Sequence, residues 1–140
     1  CSHSSSGNHC HFGNLHILLA EDNALNQEIA QMLLTTKGAR LDIVSNGQEA
    51  VDKFEASKPG TYQLILMDIR MPVMNGYNAA EKIRHSQHPD GADIPIIAMT
   101  ADAYEDDIKH CMAVGMNGHI SKPINPDKLY NEIAKCCNSI

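Results

Sequence analysis

The sequence predicts an α/β fold, a parallel sheet wound on both faces by helices, and three observations carry that prediction. Short runs rich in Ile and Leu alternate along the chain with segments whose apolar residues recur at helical spacing. The runs are apolar throughout, as strands covered on both faces are, instead of alternating with polar residues. Each ends in a polar, reactive residue: run 15–20 at Glu21 and Asp22, run 64–67 at Asp68, run 94–99 at Thr100, and run 118–121 at Lys122 and Pro123. All strand C-termini of a parallel sheet lie along one edge, where open α/β folds place their sites. Three carboxylates, a hydroxyl and an ammonium thus converge from distant parts of the chain.

The elements follow in order. After the first strand, Asn23 caps a helix whose apolar positions Leu25, Ile29, Met32 and Leu33 recur at helical spacing. Lys37 and Gly38 end it, with glycine in its usual place beyond a helix C-terminus. Residues 41–44 form the second strand. Asn46, with Glu49 three residues on, resembles a capping box and opens a helix through Val51 and Phe54. Lys58, Pro59 and Gly60 make a turn into the third strand. Residues 76–84 are a third helix and 85–93 a polar loop before the fourth strand. Tyr104, Ile108, Cys111 and Met112 space a fourth helix that Gly115 stops. After the fifth strand, Asn125 is a cap with Pro126 at the first helical position, and Leu129, Ile133 and Cys136 carry the fifth helix. Five strand–helix units with right-handed crossovers wind such a sheet on both faces.

Length and composition bound the rest. At 140 residues the chain is one domain with room for a core, and no internal repeat or second domain is visible. No apolar stretch approaches the roughly 20 residues of a membrane span. A formal net charge of −6 argues against nucleic acid as a direct partner. The five cysteines form no Cys-x-x-Cys pair, and Cys136 and Cys137 are neighbours, so reduced thiols of a cytoplasmic protein are expected. Residues 1–14 are Ser/Gly-rich and lack the apolar region of a signal peptide, so they read as a linker or tail ahead of a domain at 15–140. Their Cys and His residues lack a scaffold that would fix zinc-ligand spacing. With no initiator Met, the expectation is a domain cut from a longer protein.

Four segments carry a family resemblance: Ile17-Leu18-Leu19-Ala20-Glu21-Asp22-Asn23, Met67-Asp68-Ile69-Arg70-Met71-Pro72-Val73-Met74-Asn75-Gly76, Ile96-Ile97-Ala98-Met99-Thr100-Ala101, and Lys122-Pro123. In this order and spacing they resemble the receiver domain of two-component response regulators, over residues 15–137. The resemblance implies a flavodoxin-like five-stranded sheet of order 2-1-3-4-5. It implies Asp68 as phosphoacceptor, Glu21, Asp22 and Asp68 as ligands of Mg²⁺ (or Mn²⁺), and the backbone carbonyl of Arg70 as a further ligand. Glu21 stands where many members have Asp and is expected to bind through water. Thr100 would contact the phosphoryl group, and Lys122 would bridge phosphoryl and carboxylate. Three residues before Lys122 the family usually has Tyr or Phe, a ring that turns inward when the hydroxyl moves; here His119 holds that place. A histidine kinase phosphodonor domain or a histidine phosphotransfer protein would dock on Ala24, Leu25, Asn26 and Pro123, although Leu25 also fits the core spacing of its helix.

The chemistry suits these residue types. An Asp carboxylate can take a phosphoryl group from phosphohistidine to give an acyl phosphate. Such transfer depends on positioning and charge neutralisation, since negative charge spreads over the phosphoryl oxygens. Clustered carboxylates repel one another and the phosphate, so a hard dication with oxygen ligands is required. Phosphatases of the haloacid dehalogenase type also use a strand-end Asp, Mg²⁺, Ser/Thr and Lys. They need a second Asp two positions on, where this chain has Arg70, and their acidic pair follows the nucleophile whereas Glu21 and Asp22 precede Asp68. A stand-alone receiver is the nearer alternative. Glu21-Asp22-Asn23-x-x-Asn26, Ala98-Met99-Thr100-Ala101 and Gly115-Met116-Asn117-Gly118 resemble the receivers of hybrid sensor histidine kinases.

Overall fold

Every apolar run forms a strand. A computed structural model of the chain describes residues 15–70, 73–100, 105–121 and 124–138. Its elements alternate as β1 (His16–Ala20), α1 (Ala24–Thr36), β2 (Arg40–Val44), α2 (Gly47–Ala56), β3 (Leu64–Asp68), α3 (Gly76–Arg84), β4 (Ile96–Thr100), α4 (Glu105–Ala113), β5 (Gly118–Ser121) and α5 (Pro126–Asn138). The strands make one parallel sheet of order β2-β1-β3-β4-β5, the expected topology. Register aligns the strand ends: Ala20 pairs with Met67, Asp68 with Met99, and Thr100 with Ser121. The residues just past β1 and at the ends of β3 and β4 therefore share one edge.

Alternation along the strands divides the core. Leu18, Ile65, Met67 and Ala98 face Phe54 of α2, Ala79, Ala80 and Ile83 of α3, and Cys111 of α4. Ile17, Leu19, Leu66, Ile97 and Met99 face Ala30 and Leu34 of α1 and Leu129 and Ile133 of α5. Both sides of the central strands are dry, which explains their unbroken apolar sequence.

Helices α1 and α4 form where the spacing places them, but not every spaced apolar residue faces the core. On α1 the buried positions are Ala30 and Leu34, while Leu25 and Met32 are 65% and 61% exposed. The cap sets this: Asn23 Oδ1 accepts from the backbone N–H of Leu25 and Asn26, and the helix starts with Leu25 turned outward. On α4, Cys111 is buried but Met112 is exposed. Tyr104, residues 1–14 and the side chain of Cys136 lie outside the described residues. β4 begins at Ile96 because Pro95 has no N–H for the ladder, although its carbonyl still accepts from Ile65 N–H at 2.9 Å.

The pole opposite the site is clamped by Arg84 at the end of α3. Its guanidinium donates to the carbonyls of Gly115 and Gly91, both at 2.9 Å, and to Asn117 Oδ1 at 2.7 Å. Asn117 is itself bonded to both backbone groups of Ile96. One side chain thus ties α3 to the entries of β4 and β5.

Candidate functional site

Glu21 and Asp22 follow directly on β1. The N–H of Glu21 continues the sheet ladder to the Val44 carbonyl at 3.0 Å. Its side chain is fully buried, and Oε2 accepts from Asn23 N–H at 3.1 Å. Asp22 is exposed at the mouth of the edge. Asn23 then caps α1, so the acidic pair is held between a strand end and a helix start.

Asp68 ends β3 and is 3% exposed. Its Oδ1 accepts from the N–H of Arg70 at 3.4 Å, a long bond. The segment beyond it folds back tightly: Gly76 N–H donates to the Ile69 carbonyl at 2.9 Å, and Gly47 N–H to the Met74 carbonyl at 3.0 Å. A Cβ on Gly76 would collide with the Asp68 carbonyl, and one on Gly47 with the Met74 carbonyl. Glycine at these two places lets the start of α2 and the start of α3 press on the loop beyond Asp68. Val73, in that loop, has φ 67° and is 81% exposed.

Glu21, Asp22 and Asp68 each offer an oxygen, and these oxygens lie within 4.8 Å of one another. Three carboxylates at that separation, two of them buried, repel strongly where water is scarce. The donor set is all oxygen and carries more negative charge than a monovalent ion offsets. It fits a hard divalent cation such as Mg²⁺, which takes few protein ligands and keeps several waters. Thr100, at the end of the neighbouring strand, is 4% exposed, and its Oγ1 has no hydrogen-bond partner among the described residues. A group with acceptor oxygens seated above Asp68 would satisfy it.

The structure therefore gathers Glu21, Asp22, Asp68 and Thr100 at one edge. Lys122 and Pro123 lie outside the described residues. The side chain of Arg70 is exposed just beyond Asp68. Ala24, Leu25 and Asn26 form the first turn of α1, and of the two readings of Leu25 its exposure selects the surface one. His119 is half-buried on β5, paired in register with Ala98, whereas Ile120 is buried among residues of α1 and α5. One contact went unread in the sequence: the Gln27 side-chain amide donates to the Glu21 carbonyl at 2.5 Å. Its signal was a polar residue at the same helical phase as Ala30 and Leu34, the buried positions of α1.

The model of the response regulator receiver domain family matches residues 17–134. A relative, hybrid signal transduction histidine kinase I of Dictyostelium discoideum, is 40% identical over 119 residues. That alignment takes in 84% of this chain but only 7% of the relative, so the chain spans a small part of it. Among solved structures, the receiver domain of a Pseudomonas aeruginosa sensor histidine kinase, with magnesium in its active site cleft, matches with a TM-score of 0.78 at 36% identity. The match covers 89% of this chain and 98% of that one. The receiver domain of Ssk1 from Saccharomyces cerevisiae, solved with the histidine phosphotransfer protein Ypd1, matches with a TM-score of 0.78 at 29% identity, covering 92% and 94% of the two chains.

Proposed function

Because this chain belongs to the response regulator receiver family, we propose that Asp68 accepts a phosphoryl group from a phosphohistidine in a two-component phosphorelay. The observation that carries the reading is the buried strand-end Asp68 whose oxygen lies within 4.8 Å of those of Glu21 and Asp22. A carboxylate oxygen of Asp68 attacks phosphorus as the bond to the donor imidazole nitrogen breaks, leaving an acyl phosphate and a neutral histidine. Glu21, Asp22, Asp68 and the backbone carbonyl of Arg70 would hold Mg²⁺, or Mn²⁺, which supplies charge neutralisation for the transfer. Thr100 Oγ1 donates to a phosphoryl oxygen, and Lys122 pairs with the phosphoryl group and the carboxylate.

The partner is a histidine kinase phosphodonor domain or a histidine phosphotransfer protein, approaching in line over the edge. Ala24, Leu25, Asn26 and Pro123 contact it; the exposure of Leu25 supports this for α1. The domain, over residues 15–140 after a linker, is cytoplasmic and part of a hybrid sensor histidine kinase. Among the described residues, no helix is long and apolar enough to cross a membrane.

With Mg²⁺ and acetyl phosphate, the chain is expected to gain one acid-labile phosphoryl group by intact mass, and Asp68→Asn to gain none. Equal labelling of the variant would overturn the assignment.

A further inference from the structure

The carbonyl of Glu21 leaves the sheet ladder just as the chain turns from β1 into α1, and a buried carbonyl there needs a donor. Gln27 supplies it, its side-chain amide reaching the Glu21 carbonyl at 2.5 Å. The backbone N–H of the same residue donates to the Asn23 carbonyl at 3.0 Å. Gln27 therefore grips the acidic turn at both ends. It does so from the phase of α1 that Ala30 and Leu34 bury against the sheet, where an apolar side chain would be the ordinary choice.

We infer that Gln27 is a positioning residue for the acidic pair, fixing the Glu21–Asp22 peptide so that both carboxylates are held toward Asp68. The peptide is planar, so holding its oxygen sets the plane through which the chain enters the Cα of Asp22. The Glu21 carboxylate is held separately by Asn23 N–H at 3.1 Å, whereas Asp22 is exposed and its placement depends on its backbone. Residues that orient metal ligands typically matter about 10-fold to 100-fold in metal affinity or activity. Gln27 touches neither the phosphoryl group nor the cation, so its loss weakens placement without removing a ligand.

The inference rests on the reading of Glu21, Asp22 and Asp68 as the cation site, and its test separates the two. Mg²⁺ affinity is measured by calorimetry for the unaltered chain, Gln27→Met, Gln27→Glu and Asp68→Asn, with thermal unfolding of each in EDTA. Labelling by acetyl phosphate is followed across a Mg²⁺ titration. Gln27→Met keeps the length and loses the donor. It is expected to bind Mg²⁺ about 10-fold more weakly, to need correspondingly more Mg²⁺ for half-maximal labelling, and to reach the same labelling rate at saturation. Its unfolding in EDTA is expected to fall by several degrees, because the Glu21 carbonyl loses its donor whether or not the cation is bound. Gln27→Glu, which also lacks the donor, should show weakened binding too, unless its added carboxylate becomes a ligand, which would raise affinity and overturn the positioning role. Unchanged Mg²⁺ affinity in Gln27→Met, or a labelling rate that stays low at saturating Mg²⁺, overturns the inference while leaving the cation site intact. Failure of the unaltered chain to bind Mg²⁺, or binding undiminished in Asp68→Asn, overturns the site reading and the inference with it.

Discussion

At Val73 a β-branched side chain sits at φ 67°, a backbone region that such residues occupy only under strain. The side chain is 81% exposed, so packing does not repay the cost. The cost is offset by the closures around it, where Gly47 holds Met74 and Gly76 holds Ile69. Asn tolerates this region and adds little freedom to the unfolded chain, unlike Gly. Val73→Asn is therefore expected to stabilise the fold by about 1 kcal/mol, read by urea unfolding; a loss would mean that the loop relaxes with Val and carries no strain. Nothing in Met71-Pro72-Val73-Met74 announces this conformation, because the usual markers, Gly or Asn, stand elsewhere. Glu21, Asp68 and Thr100 were legible for the opposite reason. A buried strand ends where its apolar run ends, and a reactive side chain at that point has nowhere to go but the shared edge.

Among the elements, β2 is an edge strand and is fastened by side chains as well as by its ladder. Asp42 Oδ2 accepts from Tyr62 Oη at 2.6 Å and lies 3.0 Å from His16 Nε2, joining β2 to β1 and to the entry of β3. Burial pushes the Asp42 carboxyl up, but the bond from Tyr62 and the nearby His16 and Lys53 outweigh it and hold it below its ordinary value. Burial, then the Asp42 carboxylate, push the Tyr62 hydroxyl well above its own. A depressed carboxyl contributes stability above its unfolded pKa, about 4, which is lost as pH falls through the folded value. A raised phenol contributes below its unfolded pKa, about 10, and that contribution is lost as pH rises through the folded value. Tyr62→Phe should thus cost about 1 kcal/mol near neutral pH, discounted because Asp42 is partly exposed. The difference should shrink both below pH 4 and above pH 10; a difference independent of pH would place the effect in packing alone. Sequence spacing located these elements and their caps, since caps and turns are local chemistry. It left open which apolar residues face inward, because Leu25, Met32 and Met112 fit a helical repeat equally well from the outside, and only the sheet decides which stripe it covers.

In the whole molecule the two poles of the sheet are built differently. At the far pole Arg84 binds Gly115, Gly91 and Asn117 together, and Asn117 bonds to Ile96, so the entries of β4 and β5 are tied to α3. At the site pole Thr100 ends β4 with a hydroxyl that has no partner among the described residues. It pairs in register with Ser121, two residues beyond His119. His119 is half-buried on the sheet face that α4 covers, since its partner Ala98 belongs to that half of the core. On the proposed reading, a phosphoryl group on Asp68 would give the Thr100 hydroxyl an acceptor, and movement toward that acceptor is expected to open space beside β5 for the His119 ring to turn into. With Gly115 held by Arg84, α4 is then expected to pivot about its C-terminal end instead of sliding. With Mg²⁺ and a beryllofluoride phosphoryl mimic, NMR should show amide shifts at Thr100, His119 and along α4. The shifts should fall toward Gly115 and Asn117, and the His119 ring protons should move with them. Thr100→Ala should bind the mimic yet leave His119 and α4 close to their resting positions. If His119 and α4 stay unshifted in the unaltered chain while Asp68 is occupied, Thr100 does not couple the site to β5, and the signal leaves by another face.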